Sequence, residues 1–82
     1  MPIGSAHMEE EDMKLIKTTK KHFIYELSEK EMNSPEVDNG FKYVAFLKDN
    51  YEDQKPTFKY DIGYQDREED SLEAMIEWCN RY

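Results

Sequence analysis

The chain has one cysteine, three glycines, three prolines and no long apolar run, and each shortage excludes something. With Cys79 alone there is no internal disulfide to staple the fold, and such usage points to a reducing compartment. Three glycines leave no Gly-rich phosphate loop and no nucleophile elbow. No stretch approaches the roughly 18–20 apolar residues of a membrane span, and no signal-peptide pattern is present, so the expected location is cytoplasmic. Positive charge is also scarce. Eleven Lys and Arg face 19 Asp and Glu, a net charge of −8 over 82 residues. Direct nucleic-acid binding is not expected, because phosphate contacts need clustered cations. Acidity of this kind suits solubility, or attraction to another protein with a basic surface.

Aromatic residues are plentiful instead. Ten of the eleven lie between Phe23 and Trp78, mostly in periodic runs, which lifts the chain out of the disordered class despite 37% charged residues. Eighty-two residues make one domain, near the lower limit of what folds alone. Residues 1–7 read as a vector-derived leader and residues 8–12 as an acidic tail expected to be disordered. That leaves a single domain over 13–82, with the natural start expected at Met8 or Met13. Starting at Met13 would remove four acids and leave 15 acidic against 11 basic residues, so the sign of the charge survives.

Along that domain, residues 14–19 are a weak strand candidate. His22 to Leu27 alternates with Phe23, Tyr25 and Leu27 on one face, although Phe23, Ile24 and Leu27 also fit a helical stripe. Ser28 and Glu31 have the spacing of a capping box for a short helix, which Asn33-Ser34-Pro35 ends. Asp38-Asn39-Gly40 reads as a turn. In the next strand Phe41, Tyr43, Ala45 and Leu47 share one face, and Lys42, Val44, Phe46 and Lys48 the other. Apolar residues on both faces indicate a central strand whose second face is partly covered or open to a partner. Thr57 to Gln65 alternates most cleanly of all, with Phe58, Tyr60, Ile62 and Tyr64 predicted on the core side. A helix is then expected over about 67–81, opened by Asp66 with Glu69, or by Asp70 with Glu73. Its stripe is Leu72, Met75, Ile76 and Cys79, flanked by Trp78 and Tyr82. The expected fold class is α+β, an antiparallel meander of three to four strands with one carboxy-terminal amphipathic helix packed on one face.

Chemistry-bearing constellations are few. Cys79 falls inside the apolar stripe and reads as a small buried hydrophobe. His22 is the one histidine outside the leader, and pairing it with Cys79 has no support in the sequence. Residues 49–54 lack the glycine and the spaced ligands of a calcium loop, and two histidines with one cysteine do not make a zinc set. No catalytic residue, cofactor or metal is therefore expected. The suggestive feature is a row of carboxylates, Glu69, Glu73 and Glu77, at i, i+4 spacing, each adjacent pair repelling by roughly 0.2–0.5 kcal/mol. Such a row has a spacing comparable to backbone phosphates, and acids in a first turn are otherwise explained by the helix dipole. The expectation is a protein-binding module, an inhibitor, immunity or accessory factor docking a basic surface through Glu69, Asp70, Glu73 and Glu77, with Trp78 or Tyr82 as aromatic anchor. Nucleic-acid mimicry is its more specific form. The alternative is a structural homodimer through Val44 and Phe46 on the second sheet face. Lys14, Lys17, Lys20 and Lys21 form the one positive patch, offsetting the acidic tail or blunting an edge strand.

Overall fold

The computed structural model describes residues 13–37 and 40–82; the expected leader, the expected disordered tail and the Asp38-Asn39 part of the expected turn lie outside them. Four strands form one sheet in sequential order: β1 (Lys14–Thr18), β2 (His22–Glu26), β3 (Tyr43–Leu47) and β4 (Arg67–Glu69), every neighbouring pair antiparallel. Among the described residues, helices α1 (Glu29–Met32) and α2 (Phe58–Asp61) and a short 3-10 helix (Lys48–Asn50) lie in the connections, and helix α3 (Leu72–Arg81) follows β4. This is the expected α+β meander with a carboxy-terminal helix on one face.

The period-two pattern sorts β2 and β3 correctly. Phe23, Tyr25, Val44 and Phe46 fall on one face; His22, Ile24, Tyr43 and Ala45 fall on the other, because Phe23 is paired with Phe46 and Ile24 with Ala45. Helix α3 lies on the second of these faces. Its Met75 and Cys79 close a buried cluster with Ile24 and Ala45, edged by Leu72, Ile76, Trp78 and Ile16. A register shift in β1 between Leu15 and Lys17 leaves Ile16 as the extra residue, and Ile16 packs on that same cluster. The helix stripe is as the sequence predicts.

The face of Phe23 and Tyr25 is covered by the connections, not by α3. Met13, Leu27, Val37, Phe41 and Ile62 bury against Tyr25, Val44 and Phe46, with Phe23, Met32, Tyr51 and Phe58 around them. Val44 and Phe46 are each 0% exposed. Of the two expectations for the second face, covered or open to a partner, the covered one holds, and the apolar surface that a homodimer through Val44 and Phe46 would have used is filled by the chain's own residues. Phe41 joins this cluster too, out of alternation with Tyr43 and Ala45, because the strand begins only at Tyr43. Helix α1 forms as its capping box foretells, with Ser28 Oγ accepting from Glu31 N at 3.2 Å and Ser28 N donating to Glu31 Oε1 at 2.8 Å. Gly40 has φ 67°, the left-handed geometry expected of the glycine in that turn.

Two expectations fail, and for related reasons. The predicted strand over 57–65 is instead helix α2 and a turn. Thr57 caps it, its Oγ1 accepting from Tyr60 N at 3.3 Å. Asp61 closes the other end, accepting from Thr57 N at 2.8 Å and from the Tyr51 hydroxyl at 3.1 Å. Gly63, at φ 100°, then turns the chain. Only Ile62 and part of Phe58 are inside; Tyr60 and Tyr64 are 71% and 78% exposed. The buried spacing is therefore four, and the alternation is an accident of two further tyrosines between and beyond those sites.

The second correction is the start of the final helix. Residues 67–69 zip onto β3 as β4, Tyr43 against Glu69 and Ala45 against Arg67, with Asp66 N donating to Ala45 O at 2.7 Å. Neither Asp66 with Glu69 nor Asp70 with Glu73 opens the helix. Ser71 is its cap, in extended conformation, accepting at Oγ from Ala74 N at 3.3 Å.

Candidate protein-binding face

The later helix start changes which carboxylates stand in a row. Glu69 is in β4, where Arg67 holds it through Nε at 2.7 Å, so the three-member i, i+4 series does not exist. Glu73 now sits in the first turn of α3, where the helix dipole favours it without further explanation. Glu77 is exposed and lies 4.0 Å from Arg81, a loose i, i+4 pair. The spacing that suggested a phosphate-like row is reduced to two residues one turn apart.

At 100° per residue, the exposed surface of α3 divides into two flanks. Glu73, Ile76, Glu77 and Asn80 line one shallow depression with Ser71 and Ala74. Trp78 and Tyr82 lie on the other flank, with Arg81 between the two. Asp70 is exposed in the link from β4 to α3. The predicted site residues are thus on one element and its entry, but acids and aromatics occupy separate sides of it.

The aromatic flank carries an assembly that the sequence alone does not disclose. Trp78 and Tyr82 stack with centroids 5.0 Å apart and planes tilted by 32°. The guanidinium of Arg67 lies 5.5 Å above the Trp78 ring, a cation–π position, while its fork engages Glu69. The inner edge of Trp78 meets His22, centroids 5.3 Å apart and planes at 62°. His22 is fully buried, and its Nε2 donates to Asp66 Oδ2 at 2.7 Å. Its Nδ1 is buried with no hydrogen-bond partner. Thr19 fixes the backbone there: Thr19 N donates to His22 O at 2.9 Å and His22 N to Thr19 Oγ1 at 3.2 Å. His22 and Arg67, each at the start of a strand, therefore seat Trp78, and Tyr82 rests on Trp78 at 59% exposure.

The thiol nearby is held in its protonated form. Burial pushes Cys79 up to about 11, the negative charge of Asp66 pushes in the same direction, and a hydrogen bond with Thr19 opposes both only in part. A nucleophilic cysteine needs neighbours of the opposite sign. Among the described residues, no group of three His, Cys, Asp or Glu side chains converges on a point that could hold a metal ion. No helix among them is long and apolar enough to cross a membrane. The chain matches no family model, no curated protein and no solved structure, so function must be read from its own residues.

Proposed function

We propose that the protein is a small acidic binding module, of the inhibitor, immunity or accessory kind, whose α3 face docks a basic surface on a partner protein. The observation that carries the reading is the Trp78–Tyr82 stack. A large aromatic side chain, Tyr82, is held at the surface by Trp78, which is itself fixed by Arg67 and His22. Preorganised aromatic anchors of this kind dominate binding energy at interfaces. Glu73 and Glu77, exposed on the neighbouring flank, and Asp70 at the helix entry supply electrostatic attraction and orientation. Glu69 leaves the proposed contact set because Arg67 already neutralises it. Nucleic-acid mimicry loses its motivating row because Glu69 lies in β4, outside the helix.

The test separates the two flanks. A partner captured from the native host is titrated against the wild type, Tyr82→Ala, and Glu73→Lys with Glu77→Lys, at two salt concentrations. Tyr82→Ala should weaken binding by roughly tenfold or more at either salt, as expected for loss of an anchor. The charge reversal should weaken it most at low salt, where long-range attraction is least screened. A partner that binds both variants as it binds the wild type uses another surface.

A further inference from the structure

Sheet topology and charge combine in a way that the helix face does not absorb. The two edges of the sheet are β1 and β4. Residues 13–25, which contain β1 and its turn, hold four lysines and no acid; Lys14, Lys17, Lys20 and Lys21 are all exposed. None of the four makes an ion pair with another described residue. At the opposite edge, residues 66–70 hold four acids and one arginine. Arg67 serves Glu69 and Asp66 serves His22, which leaves Glu68 and Asp70 exposed without a described cation. The sheet thus has a positive edge and a negative edge.

Strand direction matches this polarity. With four strands in sequential antiparallel order, β1 and β4 run in opposite directions. A second copy shifted along the sheet would therefore present its β1 antiparallel to β4 of the first. Pairing of opposite charges across antiparallel strands is favourable, whereas like charges directly opposite are destabilising. A two-fold dimer through β1 would set lysine against lysine, and one through β4 would set acid against acid. Edge lysines are a usual guard against strand pairing, but here they guard only against the same edge.

We infer that the protein associates with a second copy of itself head to tail, the β1 edge of one chain against the β4 edge of the next. Such a heterologous contact leaves one edge free on each added copy and continues past the dimer, into a ring or an open series. Of the residues it uses, only Asp70 is shared with the proposed docking face, so Glu73→Lys with Glu77→Lys leaves it intact, and the Lys14 and Lys17 arm tests it independently of the docking proposal.

The experiment is sedimentation velocity on the full chain over a range of protein concentrations. It compares about 0.02 M salt, where the screening length is on the order of 20 Å, with about 0.5 M, where it is about 4 Å. At low salt the weight-average mass should rise with concentration past that of a dimer, and at high salt it should return to the monomer. Two charge-reversed proteins supply the decisive arm: Lys14→Glu with Lys17→Glu has two acidic edges, and Glu68→Lys with Asp70→Lys has two basic ones. Each alone should stay monomeric at low salt, and the equimolar mixture should associate again. All four sites are exposed, and circular dichroism of each variant verifies that it folds. A wild type that stays monomeric at low salt overturns the inference, as does a mass that stops at the dimer or a mixture that fails to associate.

Discussion

His22 shows how much a single buried side chain can depend on one exposed partner. Its Nε2–H ends on Asp66, and Asp66 is 46% exposed, so the carboxylate itself would lose little on removal. The imidazole would lose more. Asp66→Ala leaves a buried donor unpaired beside an Nδ1 that already has no partner, a change expected to cost about 1–3 kcal/mol. Replacing both partners by apolar groups removes the unpaired donor, so His22→Leu with Asp66→Ala should be less destabilised than the sum of the two single variants. Urea denaturation of the four proteins gives the coupling. Strict additivity would mean that the 2.7 Å contact contributes nothing in solution. None of this is legible in the sequence, where the two residues are 44 positions apart and each reads as ordinary. Trp78 and Tyr82 are foreseen on the helix flank, but the Arg67 and His22 that fix them arrive only through strand pairing.

At the level of elements, legibility follows whether local pattern and tertiary demand agree. β2 and β3 are rich in aromatic and β-branched residues and alternate, and both form where expected. The core of α3 has an unambiguous helical stripe, and it also forms. β4 has no apolar residue at all; Arg67-Glu68-Glu69 becomes a strand because the edge of β3 offers it partners. Helix α2 is hidden because Phe58 and Ile62 satisfy period two and period four alike, and only the Thr57 and Asp61 caps decide between them. The Asp61 lock has a measurable signature. Burial first, then the hydrogen bond and charge of Asp61, push the Tyr51 phenol from 10 up to about 12. A group whose folded value is raised contributes stability that is complete below its unfolded value and is lost as pH rises through the folded one. Cys79, raised from 9 to about 11, acts in the same sense. Stability should therefore begin to fall near pH 9 and keep falling to about pH 12. With Cys79→Ala the decline should begin only near pH 10, and with Tyr51→Phe added it should flatten. Denaturation midpoints across this range check the sign, and midpoints that rise with pH would contradict it.

The whole molecule is a sheet with two unequal covers. One is a ten-residue helix; the other is assembled from Met13, Leu27, Val37, Phe41 and Ile62, contributed by separate segments. Phe46 is at the centre of the second cover, edge-on to Tyr25 at 6.0 Å and to Tyr51 at 5.5 Å. A Phe→Ala change in a core typically costs about 3–5 kcal/mol, and a domain of this length has about 4–12 kcal/mol in total. Phe46→Ala should thus lower the melting temperature by roughly 12–40 °C, since about 1 kcal/mol corresponds to 4–8 °C at this size. The second cover should also open by itself in the wild type. Its α2 segment has only four helical residues and exposes Tyr60 and Tyr64, whereas β2 and β3 are paired on both sides. Native-state hydrogen exchange should find the amides of β2 and β3 exchanging only through global unfolding, and those of residues 58–65 through local opening at lower free energy. Equal protection in the two regions would show that α2 belongs to the same cooperative unit as the sheet. In Phe46→Ala the β2 and β3 amides should descend toward the level of residues 58–65, because the global free energy that protects them shrinks while the local opening is already cheap.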